Sequence, residues 1–304
     1  MQSNREDKPY FGILLFLGNL IVMVAISALA KRLVEDYPVS QVLFFRYLFV
    51  AIPMIALVTM TLGFSTLKIT RYRDYAVRTS AGIVSLGLFF YAISKIPLAE
   101  ATLLSYISPI FIVMLSIPVL GEKIGVYRWA AVLMGFVGVF IIVQPGTASF
   151  NLGTMAAVGA SMGSAIVSIW LRLLSTTEKV STINAIHNSM GAIVFGCWIW
   201  IEGWVAPQGF FDWGLLVSIG LLGCFQQYLF ASSFRFSEAS LIAPFEYLIL
   251  VFSAAVGYWF WSEIPVLTTW IGGIIIVCCG LSIMYRQHYH QKKAADTTRN
   301  EQGI

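Results

Sequence analysis

Charge is what this 304-residue chain has least of: Asp, Glu, Lys and Arg together make up 11% of it, against roughly 25% in ordinary globular domains. Apolar residues (Ala, Val, Ile, Leu, Met, Phe, Trp, Tyr, Cys) make up 58%. A water-soluble fold has too little polar surface to cover that much, so a soluble domain is excluded. Histidine is scarcer still, with three in the chain, and His288 and His290 fall in the polar C-terminal stretch. A membrane-embedded transferase needs clustered carboxylates, histidines or cysteines at one face, so an enzyme is disfavoured. The four cysteines, Cys197, Cys224, Cys278 and Cys279, lie inside apolar runs and none shows the two-residue spacing of a zinc or redox motif. They read as small buried hydrophobes, implying neither disulfide nor metal. No basic face or stripe is present for nucleic acid. No glycine-rich phosphate loop ends in Lys-Ser or Lys-Thr, so no ATP-driven motor is encoded, and no cofactor is expected.

Long apolar runs are what is there. A spanning helix needs about 20 mostly apolar residues, and ten segments qualify: 10–30, 39–60, 74–94, 98–119, 126–143, 151–171, 182–202, 213–234, 239–261 and 266–285. Arg5 and Lys8 precede the first, and Ala28-Leu29-Ala30 resembles a signal-peptidase site. A run of about 21 residues exceeds a signal peptide's core of about 7–15, so it reads as a retained first span. Connections are short and carry Gly, Pro or charge, as in Gln144-Pro145-Gly146. The polar tail from Gln287 is expected to be disordered and cytoplasmic.

Lys and Arg in short loops set orientation. With ten spans and the N-terminus inside, fifteen fall on the cytoplasmic side (Arg71, Arg73, Arg78, Lys123, Arg172 and Arg235 among them), and Lys31, Arg32 and Lys95 fall outside. Arg46, deep inside its span, is the one cation assigned to neither side. Both termini are thereby expected in the cytoplasm, with the chain in the plasma membrane, the inner membrane if the source is bacterial.

The two halves align in a common register. At an offset of 141, Gly12 meets Gly153, Ser27 meets Ser168, Lys31 meets Arg172, and Glu122 meets Glu263. In the middle the offset is 138, where Asp74, Gly82 and Glu100 meet Asp212, Gly220 and Glu238. Five spans per half put the halves in opposite orientations. The expected fold is therefore an all-α polytopic membrane protein of ten transmembrane helices, arranged as two inverted five-helix repeats around a central cavity. Residues 1–146 form the first repeat, 147–286 the second and 287–304 the tail. Inverted repeats are the usual build of secondary carriers, with the solute near the midplane between them.

The stretch from Ile96 to Gly146 carries Pro97-Leu98-Ala99-Glu100-Ala101, Ser108-Pro109-Ile110-Phe111 and Leu120-Gly121-Glu122-Lys123. A diverged partner follows in Glu238-Ala239-Ser240, Ala243-Pro244-Phe245-Glu246-Tyr247 and Ser262-Glu263, where Ser262 replaces a glycine often found before that glutamate. The chain resembles the EamA-type family of the drug/metabolite transporter superfamily from about Phe11 to Tyr285. The resemblance implies a ten-helix carrier whose first four helices in each half line the cavity, with the fifth and tenth outside. Family members include amino-acid exporters, vitamin importers and nucleotide-derivative carriers. The reading is a secondary active transporter of a small organic metabolite, exporting an amino-acid-like solute by alternating access. The alternative is an importer of a cofactor-like molecule such as a vitamin or nucleoside-derived metabolite. Expected partners are the metabolite, membrane lipid and protons as coupling ion, with the chain a monomer or weak homodimer.

Ionisable residues within the membrane are default site candidates. Arg46 lies about seven residues into its span, roughly 10 Å at 1.5 Å per residue, and suits a carboxylate or phosphate; a structural ion pair is the competing role. His187 is its equivalent at the 141 offset, in the inner third where Arg46 is in the outer. It is either a titrating group or a neutral ring bonded to a carbonyl. Glu246 follows Pro244 and suits a solute amine, a proton, or a pair with His187. Asn19, Tyr106, Asn184, Asn188, Gln226 and Gln227 are cavity hydrogen-bonders or interhelical glue. Tyr91, Trp170 and Tyr247 are candidates to stack a planar solute. Ser161, Ser164 and Ser168 read as small residues for close helix approach, and Glu122 and Glu263 as structural.

Overall fold

A computed structural model describes residues 9–69, 71–121, 125–144, 146, 151–237, 242–282 and 285. Glu122, Lys123, Glu238 and the tail from Gln287 lie outside the described residues. Among these residues the structure is all helical. The helices are α1 (Pro9–Asp36), α2 (Val39–Leu62), α3 (Tyr72–Ile93), α4 (Leu98–Ser105), α5 (Ser108–Leu120), α6 (Val126–Val143), α7 (Leu152–Leu174), α8 (Val180–Glu202), α9 (Gly209–Phe236) and α10 (Leu248–Trp261), then α11 (Leu267–Ser282). Among the described residues, each of the ten apolar runs is largely helical. Six stretches are long and apolar enough to cross a membrane: α1, α2, α3, Leu98–Leu120, α7 and α9.

Local chemistry sets the ends. Asn151 opens α7 with a capping box, accepting from the Gly153 and Thr154 amides while Thr154 Oγ1 accepts from the Asn151 amide at 3.0 Å. This satisfies donors that a helix start leaves unpaired. Gly121 closes α5 in the left-handed region at φ 68°. Ser262 does the same after α10 at φ 55°, at the position where the resemblance calls for glycine. A Cβ in that conformation costs about 1 kcal/mol, so Ser262→Gly is expected to stabilise the protein by about that amount, read as a higher thermal midpoint in detergent.

Two runs are interrupted. The fourth is broken between Ser105 and Ser108, where Tyr106 and Ile107 bond back three residues, to Leu103 and Leu104. Pro109 has no N–H to return to the Ser105 carbonyl. The ninth carries a 3-10 turn, Ala243–Tyr247, again at a proline, directly before α10. Neither run is the single uninterrupted helix its apolar length suggests.

Packing joins the halves helix by helix. The largest interfaces pair α3 with α7, α2 with α8, and α1 with α9. Each pair is antiparallel. Along α2 and α8, Gln41 meets Val205, Tyr47 meets Phe195, and Met54 meets Asn188. Along α1 and α9, Phe11 meets Phe236 and Asn19 meets Gln226. Along α3 and α7, Ser85 bonds Ala160 O and Ser164 at 2.6 and 2.9 Å. The α6–α11 crossing depends on glycine: a Cβ on Gly138 would meet the Gly272 carbonyl at 2.9 Å.

At one end of the bundle a buried ion pair ties the halves together. Lys31 of α1 pairs with Glu263 and also donates to the Ile96 carbonyl at 3.0 Å. Glu263 accepts the Leu98 amide at 2.9 Å, satisfying the start of α4. At the same end Gln41 exchanges two bonds with the Val205 backbone, and Tyr37 donates to Asp212 at 2.6 Å. Burial, and that carboxylate acceptor, raise the Tyr37 phenol above its ordinary value. The other end carries Tyr75 on Glu178 and Arg71 on Asp74.

Candidate functional site

Small side chains on facing helices leave room between the halves, and the room is a cavity of about 440 Å³. Its wall comes from α1, α2, α3, α4, α7, α8, α9 and α10; among the described residues neither α6 nor α11 contributes. Most of the wall is apolar, including Met23, Phe89, Phe90 and Ile249, and a few polar groups converge on it. Such a mixture is what orients a small organic ligand.

Four candidates meet there: Arg46, Tyr106, His187 and Gln226. Arg46 and His187, read from sequence at opposite depths, line one cavity. Both fit because their neighbours lack side chains. A Cβ on Gly223 would stand 2.7 Å from Arg46 Cζ, and one on Gly82 would stand 2.7 Å from His187 Cε1. The Arg46 guanidinium makes no hydrogen bond or ion pair to the described protein, and its Nε is buried without a partner, as is His187 Nδ1. Burying a charge without a partner is expensive. The structural ion pair considered for Arg46 is therefore absent among the described residues, as is a carbonyl bond to His187 Nδ1. The His187 ring stands edge-on to Tyr47, centroids 5.5 Å apart.

Tyr106, freed by the break in the fourth run, donates to the Glu246 carbonyl at 2.9 Å. Gln226 donates to Asn19 at 2.9 Å, so Asn19 sits behind the wall as support. The remaining candidates stand elsewhere. Glu246 is exposed, outside the lining, and no bond joins it to His187. Asn184 accepts from Arg78 at 2.7 Å, and Asn188 donates to the Asn184 carbonyl at 2.8 Å. Tyr91 lies under Lys95. Trp170 and Gln227 are half-buried and outside the lining. Tyr247 packs on Tyr106 and faces a second, apolar cavity of about 260 Å³ beside Leu103, Trp270 and Cys278.

Sequence reasoning missed several residues. Tyr47, Ser85 and Ser105 line the cavity, and so do Ser164 and Ser168, read as packing residues. Arg78, counted among loop cations, lies within α3 and is 4% exposed, which takes one from the fifteen expected on the cytoplasmic side. The available signal was its helical spacing with Gly82 and Ser85, one inward face of α3. Among the described residues no group of three His, Cys, Asp or Glu gathers where a metal could be held.

Comparison with known proteins accounts for a cavity enclosed by two similar halves. A crystal structure covering 90% of this chain and 96% of its own superposes with a TM-score of 0.61 at 20% identity, so the fold is shared. The pseudopaline exporter CntI of Pseudomonas aeruginosa is 29% identical over 89% of this chain and 95% of its own length. The riboflavin transporter of Vibrio cholerae is 27% identical over 95% and 97%. The S-adenosylmethionine uptake transporter of Rickettsia prowazekii is 27% identical over 93% and 96%. The EamA-like transporter family model matches twice, over residues 10–144 and 151–286, so the sequence repeat is real and this multi-pass membrane protein is a transporter, not an enzyme, belonging to the EamA-like transporter family.

Proposed function

We propose that the chain is a ten-span secondary carrier that exports an amino-acid-like metabolite through the central cavity by alternating access. Residues 1–146 and 147–286 form its two inverted repeats. The observation that carries the substrate class is the Arg46 guanidinium, which lines the cavity without an acceptor among the described residues. A solute carboxylate is the acceptor its planar fork suits. His187, Tyr106 and Gln226 supply further hydrogen bonds along the solute. Glu246, whose backbone carbonyl accepts the Tyr106 hydroxyl, is the carboxylate proposed to meet an amine as the solute passes.

Inverted topology is supported by the antiparallel run of α2 and α8, equivalent helices of the two halves, since helices an odd number of spans apart run oppositely only when the repeats are inverted. Exchanging the halves also turns the α1–α9 interface into the α7–α3 one. Fourteen cations on one side against three on the other support both termini lying in the cytoplasm, with the chain in the inner membrane in a bacterial source. One chain encloses the whole cavity, which suits a monomer or weak homodimer. Protons drive the export by antiport.

The experiment is flux from proteoliposomes. Vesicles loaded with an amino-acid mixture are expected to lose one class faster when a pH gradient is imposed; flux indifferent to the gradient overturns proton coupling, and no protein-dependent flux overturns the carrier reading for these solutes. A second reading, import of a cofactor-like molecule, is favoured by the riboflavin and S-adenosylmethionine relatives and by Phe89 and Phe90 in the wall. Uptake of such a compound into the same vesicles decides for it.

A further inference from the structure

Arg78 is a second buried guanidinium, and among the described residues no carboxylate pairs with it. It is 4% exposed, donates from Nη2 to Asn184 at 2.7 Å, and leaves Nε and Nη1 buried without partners. The neighbouring carboxylates are spoken for elsewhere: Asp74 pairs with Arg71, and Glu178 takes the Tyr75 hydroxyl. Arg78 stands one turn before Gly82, whose face holds the His187 ring. The Tyr47 hydroxyl lies 3.5 Å from the Gly82 carbonyl, and its ring stands edge-on to His187. Two guanidinium groups without a carboxylate partner among the described residues therefore flank one Tyr–His pair on the cavity wall, Arg46 in the lining and Arg78 one turn behind Gly82. A folded protein keeps an uncompensated buried charge when a ligand completes it, because the unpaired cation otherwise opposes folding.

We propose that the transported solute is a diacid, with one carboxylate on Arg46 and a second drawn toward Arg78 past the His187 ring, Asn184 holding the Arg78 fork in place. This rests on the amino-acid-like reading of the cavity and narrows it to a solute bearing an additional acidic group. Two fixed cations reject a monoacid only weakly and a diamine strongly, so the pair sets specificity as well as affinity.

The test is ligand-induced thermal stabilisation of the full chain in detergent, using diacids from succinate to adipate and glutamate, with butyrate and alanine as monoacid controls and inorganic phosphate as an alternative anion. At least one diacid is expected to bind roughly tenfold more tightly than any monoacid, as a second charge-assisted pair in a dry site implies. Arg78→Met is expected to abolish that advantage while leaving monoacid binding in place, and to raise the ligand-free melting temperature, because it removes an unpaired buried charge. A lowered ligand-free melting temperature in Arg78→Met, or equal binding of diacids and monoacids by the wild-type chain, overturns the inference and leaves the Arg46 reading standing. Phosphate binding more tightly than every diacid also overturns it. Failure of the broader reading looks different: Arg46→Ala then leaves both monoacid and diacid binding unchanged.

Discussion

Arg46→Ala is expected to cut transport by roughly 30-fold or more, equivalent to about 2 kcal/mol, the scale of a charge-assisted hydrogen bond in a dry site. Folding is expected to survive the change. Among the described residues no acceptor bonds the guanidinium, so its removal orphans none of them, whereas breaking a structural ion pair leaves a buried charge uncompensated. The two roles thus predict opposite stabilities for one variant. Arg46→Lys is expected to recover part of the flux, since the charge returns without the bidentate fork. Gly223 packs against the arginine and leaves space there, so a lysine end has room to settle. The measurement is initial efflux from proteoliposomes at matched protein content, with the melting temperature of each variant beside it. Wild-type flux in Arg46→Ala would remove the arginine from the site.

Glu263→Gln is expected to cost about 3–5 kcal/mol of stability, because it strips the counter-charge from a buried Lys31. The side chains of the pair are 10% and 17% exposed, so water offers Lys31 little compensation. The same carboxylate accepts the Leu98 amide, and the lysine also holds the Ile96 carbonyl. One substitution therefore loosens α1, the start of α4 and the end of α10 together. The double variant Lys31→Met with Glu263→Gln is expected to regain most of the loss, since it leaves no unpaired charge. Thermal unfolding in detergent of the wild type, the single variant and the double variant measures both. Equal midpoints for wild type and Glu263→Gln would mean that the pair contributes nothing. Because the pair joins elements of both halves, its strength also sets how readily that end of the bundle parts.

Ten helical segments were legible in the sequence because an apolar run of about 20 residues has few other stable forms in lipid, where every backbone group needs an internal partner. The family was legible in residues with local backbone roles: Pro109 beside a break, Gly121 at a left-handed helix end, Ser262 where a glycine is usual. Arg46 and His187 were legible because polar groups inside apolar runs stand out. Tyr106 and Gln226 were named among many polar residues, and nothing in the sequence separated them from Tyr91 or Gln227. Only packing separates them, because a helix has no inward face until its neighbours are placed.

Arg78 marks the limit most clearly. Its sequence neighbours Arg71 and Arg73 sit at the start of α3, and charge counting swept it in with them. Its burial depends on α8, more than a hundred residues away, where Asn184 meets it. By itself the sequence determined the helices, the repeat and the transporter family, because these follow from local hydropathy and short-range backbone chemistry. The tertiary structure alone decided that Arg46 and His187 share one cavity, that Glu246 stands outside its lining, and that a second unpaired cation lies beside it. Those facts depend on long-range contacts between helices, which local patterns along the chain do not reveal.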